Sequence, residues 1–180
     1  MTSITLKDGR CATLSPLGEK PEFVDRVAAV IFAEWTNFWK QEIGYESAQQ
    51  VADWLRTNKG ADSLPYYAIA HIDDELLGCS GCDATEREGD SRGPWLIDVT
   101  VLEKYRGCGA FPHLVTHIMN VQRNRGVSLM YLWTMPSLVK VYEKFGWKYL
   151  HDEEWTTEEH GKIPQPTMTV DLTQVQPSKL

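Results

Sequence analysis

The stretch Trp95-Leu96-Ile97-Asp98-Val99-Thr100-Val101-Leu102-Glu103-Lys104-Tyr105-Arg106-Gly107-Cys108-Gly109-Ala110 decides how the rest of the chain is read. It opens with a near-continuous run of apolar and β-branched side chains, the pattern of a central strand covered on both faces. The run breaks at Arg106-Gly107-Cys108-Gly109-Ala110. A helical period follows from about Pro112 to Arg125, with Leu114, Ile118 and Val121 on one face and Gly126 as its stop. Strand, glycine turn and helix in that order bring unpaired helix N–H groups and a positive dipole end beside the turn, and glycine lets a backbone approach an anion closely. Arg106 adds a fixed positive charge. A phosphate or pyrophosphate is the matching ligand.

Two phosphate-binding patterns are missing. No Lys followed by Ser or Thr closes the turn, and the three spaced glycines of a dinucleotide site are absent. The turn also lies mid-chain, not in a first strand–helix–strand unit. ATP and NAD are therefore disfavoured.

Working toward the N-terminus, the polar segment Thr85–Gly93, with Glu86, Glu88 and Asp90, reads as a loop. Before it stand two strands, Tyr66–Ile72 and Leu76–Cys82, joined by Asp73-Asp74-Glu75. A helix from Ser47, its N-cap, carries the stripe Val51, Trp54, Leu55. An earlier helix opens at Pro21 and repeats Phe23, Val27, Val30, Ile31 and Trp35 at helical spacing. A short strand lies near Arg10–Leu14. Toward the C-terminus come a strand at Leu129–Thr134, a short helix at Leu138–Phe145 ended by Gly146, and strands at Trp147–His151 and Thr167–Leu172. The first few residues and the tail Val175–Leu180 read as loose ends. This order predicts one α/β (α+β) domain over residues 1–180, a mixed sheet with helices on both faces.

The 180 residues are 42% hydrophobic and 24% charged, a globular balance that argues against disorder. No apolar run is long enough to span a membrane, and the start lacks the basic and apolar regions of a signal peptide. Cys11, Cys79, Cys82 and Cys108 are too few and too scattered for a disulfide framework, which points to a reducing, cytoplasmic compartment. The net charge of −7 argues against nucleic acid as a partner. It suits a cationic one, although solubility alone also accounts for it.

The stretch Ile97–Ala110 resembles the acetyl-CoA signature of the GNAT superfamily of N-acetyltransferases: an apolar strand, a short link, Tyr-Arg-Gly-x-Gly, then a helix. Tyr142-Glu143-Lys144-Phe145-Gly146-Trp147 resembles that family's second mark. The resemblance implies a mostly antiparallel central sheet of about seven strands, acetyl-CoA as co-substrate, no metal, and transfer of acetyl to a primary amine on a small cationic molecule or a peptide N-terminus. It further implies that Val99, Thr100 and Val101 offer backbone groups to the pantetheine arm. Arg106, Gly107, Cys108, Gly109, Ala110 and Phe111 would wrap the pyrophosphate, and Tyr142 would protonate the departing thiolate. A phenol is protonated at neutral pH and suits that role; core packing is the alternative for an aromatic on a short helix. The chain departs from the family at Phe111-Pro112, where Gly or Ala is usual. A bulky ring would narrow the turn, and proline has no N–H to donate.

Asp98 is the one carboxylate in the strand, and relatives with an acidic residue there use it near the acceptor. Strict alternation puts it on the face of Leu96 and Thr100. A structural hydrogen-bond partner explains it equally well. Trp95 stands where some relatives keep a glutamate and would then wall the acceptor pocket. The acidic stretch Asp152-Glu153-Glu154 with Glu158 and Glu159 would border that pocket and attract a cation, or be a solvated loop. Trp35, Trp39 and Trp54 would line the acceptor side or fill core. The CxxC at Cys79–Cys82 reads as two buried thiols on opposite strand faces, and His113 and His117 as surface residues and not a zinc pair. The competing functional class is a non-catalytic CoA-binding sensor or assembly module. The oligomeric state stays open, a homodimer included.

Overall fold

Eight strands form one sheet in the order β1-β2-β3-β4-β5-β6-β8-β7. The computed structural model describes residues 1–58, 64–85, 90–157 and 161–175. The strands are β1 (Thr2–Thr5), β2 (Cys11–Pro16), β3 (Tyr66–Ile72), β4 (Glu75–Asp83), β5 (Trp95–Val101), β6 (Leu129–Trp133), β7 (Lys148–Thr157) and β8 (Gly161–Asp171). Every neighbouring pair is antiparallel except β5 and β6. The expected seven strands become eight because Thr2–Thr5, read as a loose end, pairs with β2 from Thr2↔Leu14 to Thr5↔Cys11. Four residues are too few to display alternation, yet Ile4 is buried against Leu14 and Leu77 in one apolar cluster.

Helices cover both faces. On β3, Tyr66 and Ala68 pack with Val115, Ile118 and Met119 of α4 (Ala110–Asn124). Their neighbours Tyr67 and Ile69 face Val27 and Ile31 of α1 (Val24–Glu34) and Val51 and Leu55 of α3 (Ala48–Asn58). The period of 2 in the strand and 3.6 in the helices is what matches these stripes. Ser47 Oγ accepts from the Gln50 N–H at 3.4 Å, the cap expected of it. Between α1 and α3, α2 (Thr36–Phe38) runs into a π-helical turn at Trp39–Ile43 that Gly44 ends with φ +79°. A last short helix, α5 (Val139–Glu143), follows β6.

The C-terminal hairpin is longer than its sequence suggests. β7 runs on to Thr157 and β8 begins at Gly161. Pro164 and Pro166 argue against a central strand, but β6 pairs with β8 only from Thr167 onward, so both prolines fall where one side of β8 has no partner strand. Asp152–Glu154 therefore belong to a strand, not to a loop. Glu153 pairs with Arg92 at 2.8 Å and Glu154 with Lys162 at 2.6 Å. Glu86, Glu88, Glu158, Glu159 and the tail 176–180 lie outside the described residues. Cys79 and Cys82 are buried in the clusters on opposite faces of the sheet, as their spacing predicts, and all four cysteines are free. Among the described residues no helix is long and apolar enough to cross a membrane.

Candidate active site

The site begins with two irregularities in β5. It meets β6 at one parallel pair, Trp95↔Tyr131, supported by the Tyr131 N–H to the Pro94 carbonyl at 3.0 Å. Beyond it no ladder joins the two strands among the described residues. The middle of β5, Ile97–Val99, is accordingly half-buried, not covered on both faces. Toward β4, Gly81 faces Ile97 and Cys79 faces Thr100, so Asp98 and Val99 together oppose Ser80. This is a β-bulge, and Asp98 sits in it with φ +50°.

The bulge corrects the expected position of Asp98. Two residues against one reset the alternation, so its carboxylate leaves the face of Leu96 and Thr100. Oδ2 accepts from the Tyr67 hydroxyl at 2.5 Å, on the face where Ile97 and Tyr67 pack together. Burial pushes the Asp98 carboxyl up to about 6, the Tyr67 hydrogen bond opposes that shift, and the charge of Asp83 adds to it. Burial raises the Tyr67 phenol further, which keeps it a donor.

One cavity of about 500 Å³ follows β5 to the start of α4. Val99, Thr100, Val101, Arg106, Gly107, Gly109, Ala110 and Phe111 line it. Cys108 does not. Its N–H donates to Tyr105 at 3.2 Å and its carbonyl accepts from the Lys7 N–H at 2.8 Å. The Arg106 N–H is likewise used, on Glu103 at 3.1 Å. Ala110 and Phe111 open α4, where no intrahelical acceptor exists for their N–H groups. Pro112 also lies in that first turn, so its missing N–H removes one donor and leaves the neighbouring ones. Gly107 and Gly109 turn the chain with φ +84° and +96°. The Arg106 guanidinium is more than half exposed and touches Glu34 at 3.5 Å. The Thr100 hydroxyl is buried and has no hydrogen-bond partner among the described residues. Phe111 does not close the turn. Its ring packs edge-on to Tyr142, centroids 5.5 Å apart, and tilted against Phe145 at 6.0 Å.

A second cavity, of about 240 Å³, shares Val99 and Leu138 with the first. Asp98, Asp83 and Tyr142 line it, and its walls are aromatic: Trp35, Phe38 and Trp39 from α1–α2 and the π turn, Trp54 from α3, Tyr67, and Trp133 from β6. Trp35 meets Trp133 edge-on at 5.3 Å, and Trp54 meets Tyr67 edge-on at 6.0 Å. All three tryptophans singled out from the sequence thus line the cavity. Trp95 does not: it is buried, and its indole N–H donates to the Arg92 carbonyl at 2.8 Å. Tyr142 is 6% exposed and its hydroxyl takes no hydrogen-bond partner among the described residues; burial pushes its phenol well up. Asp152–Glu154 are not on the cavity wall. His117 is bonded to Tyr66 at 3.0 Å, and among the described residues no group of three His, Cys, Asp or Glu is arranged to hold a metal.

Asp83, Tyr67, Phe38, Trp133 and Leu138 had no sequence signal. Tyr67 and Asp98 are 31 positions apart, and only the pairing of β3, β4 and β5 brings them together.

The sequence pattern of the Acetyltransferase (GNAT) family matches residues 27–147, well over half of the chain, and the chain belongs to that family. Solved structures agree on the fold. An aminoglycoside 6'-N-acetyltransferase complexed with coenzyme A superposes with TM-score 0.66 at 16% identity, over 89% of this chain and 97% of that one. An N-acetyltransferase from Staphylococcus aureus Mu50 gives 0.72 at 12% over 89% and 98%. The ribosomal-protein-S18-alanine N-acetyltransferase from Escherichia coli gives 0.62 at 14% over 93% and 97%. No curated protein matches the chain by sequence.

Proposed function

We propose that this chain transfers the acetyl group of acetyl-CoA to a primary amine. The observation that carries this reading is the meeting of two cavities at Val99 and Leu138. One runs to the glycine turn and the start of α4, which suit a pyrophosphate; the other holds the Asp98 and Asp83 carboxylates and the Tyr142 phenol, which has no hydrogen-bond partner among the described residues. The groove along Val99–Val101 fits the amide-bearing pantetheine arm. The thioester then lies where the cavities join.

Asp98 takes a proton from the ammonium form of the acceptor, and the freed nitrogen attacks the thioester carbonyl carbon. As the carbon–sulfur bond breaks, Tyr142 gives its proton to the sulfur; the second proton shed by the acylated nitrogen reprotonates the Tyr142 oxygen, and Asp98 releases its own to solvent. Tyr67 holds the Asp98 carboxylate in position. The test is thiol release from acetyl-CoA across a panel of amines, with acetyl-CoA binding followed separately by thermal shift. Binding without thiol release for any amine would favour a sensor or assembly module.

A further inference from the structure

Asp83 ends β4, directly opposite Trp95, and lines the acceptor cavity together with Asp98. Asp83 is half-buried. Its carboxylate accepts from the Ala84 N–H at 2.6 Å, and burial raises its pKa. Among the described residues no Lys, Arg or His pairs with either aspartate. Two carboxylates withdrawn from water in one small cavity repel each other, and neither has a countercharge among the described residues. No cation among the described residues answers them, so a ligand's cation is the natural occupant.

The walls narrow the choice of ligand. Trp35, Trp39, Trp54 and Trp133 line the cavity, and indole rings attract a cation and shed water. The two aspartates do not share one point. Asp83 is level with Trp95, three residues from Asp98 along β5, or roughly 10 Å of strand. They therefore serve two ends of one molecule. Asp98 sits next to Val99, where the cavities join and the reacting nitrogen belongs; Asp83 sits at the far end. An aromatic amine with a single nitrogen would satisfy the walls but leave Asp83 without a countercharge. The cavity of about 240 Å³ corresponds to roughly eight water volumes, which suits a chain of a few carbons between two nitrogens.

We propose that the acceptor carries a second cationic nitrogen besides the one acetylated, as a short α,ω-diamine does, and that Asp83 is the residue that selects it. This rests on the acetyl-transfer reading for the chemistry but not for the binding. The distal ammonium stays charged throughout, held at the Asp83 carboxylate and flanked by indole faces, while its partner nitrogen loses a proton to Asp98.

The experiment compares 1,5-diaminopentane, pentylamine and phenethylamine on the full chain by two readouts: thiol release from acetyl-CoA, and binding followed by tryptophan fluorescence. The diamine should exceed pentylamine by about tenfold or more in kcat/KM and in affinity, the effect of one partly buried charge pair. Asp83→Asn should bring that ratio toward one, and Asp83→Glu should restore part of it. Asn keeps the shape and removes an uncompensated charge, so the variant should melt no lower than the parent. Phenethylamine or pentylamine performing as well as the diamine would overturn the proposal, as would a ratio that Asp83→Asn leaves unchanged. If the diamine binds in an Asp83-dependent way but no amine releases thiol, the acetyl-transfer reading falls and the cation site stands.

Discussion

The Tyr67 hydroxyl donates to Oδ2 of Asp98 at 2.5 Å across the bulge of β5. Burial pushes the Asp98 carboxyl up from the usual 3.9 to about 6, and the bond, which favours the carboxylate, keeps it from rising further. A base must be ionised to work. The kcat/KM profile should therefore carry a break near pH 6, activity rising above it, superimposed on the acceptor amine's own ionisation. Asp98→Asn should remove the break and lower kcat by about 10² to 10⁴. Tyr67→Phe should move the break to higher pH, because the bond it removes favours the charged form. A profile with no inflection between pH 5 and 8 would remove Asp98 from the proton path.

The same residue fixes the sign of a stability effect. The folded-state pKa lies above the unfolded one, so the folded protein binds the extra proton between about pH 4 and 6. Asp98 contributes most stability below that window, and the contribution is lost as pH rises through about 6. The loss should be on the order of 3 kcal/mol. Urea denaturation of the parent and of Asp98→Asn from pH 4.5 to 7.5 should show their difference changing across this window and constant above it.

Tyr142→Phe should lower kcat and kcat/KM by the same large factor, about 10² or more, because the lost interaction belongs to the transition state. Its hydroxyl has no hydrogen-bond partner among the described residues, and the ring stays against Phe111 and Trp147. Thermal stability and acetyl-CoA affinity should change little. Near-normal turnover by the Phe variant would mean that water or another group protonates the sulfur.

Arg106→Ala separates cofactor binding from folding. The exposed pair with Glu34, at 3.5 Å, is worth at most about 1 kcal/mol. The melting temperature without ligand should hold, while the increase produced by acetyl-CoA should shrink. Rising salt should also weaken binding less in the variant than in the parent. An unchanged ligand-induced shift would move the pyrophosphate away from Arg106.

The strand, turn and α4 were legible because periodicity and glycine punctuation act over neighbouring residues. Ser47 as a cap and the opposite faces of Cys79 and Cys82 followed from the same local rules. β1 was missed because four residues carry too little pattern, and only pairing with Cys11–Leu14 holds them. Alternation failed at Asp98 because a bulge depends on the partner strand, not on the strand itself. The acidic stretch Asp152–Glu154 looked like a loop bordering the acceptor, yet Arg92 and Lys162 engage two of its carboxylates in a hairpin. The aromatic cavity draws on residues from 35 to 142, and no local pattern marks Asp83 or Trp133 as belonging to it.

Phe111 is the point where the sequence and the structure suggest opposite outcomes. A bulky residue in place of the usual small one suggests a narrowed phosphate turn, and then Phe111→Ala would widen the groove and improve acetyl-CoA binding. In the structure the ring turns toward Tyr142 and Phe145, with centroids at 5.5 and 6.0 Å. There it supports one side of the phenol that Trp147 supports at 6.2 Å on another. Removing it leaves a void beside Tyr142 and costs about 2 to 4 kcal/mol of stability. The phenol then gains freedom to leave the position from which it reaches the sulfur, and small misplacements lower rates steeply. Phe111→Ala should therefore reduce both melting temperature and kcat, with acetyl-CoA affinity nearly unchanged. Phe111→Leu fills most of the void and should recover much of both. Tighter acetyl-CoA binding with undiminished kcat in the Ala variant would show that Phe111 constricts the turn and does not hold Tyr142.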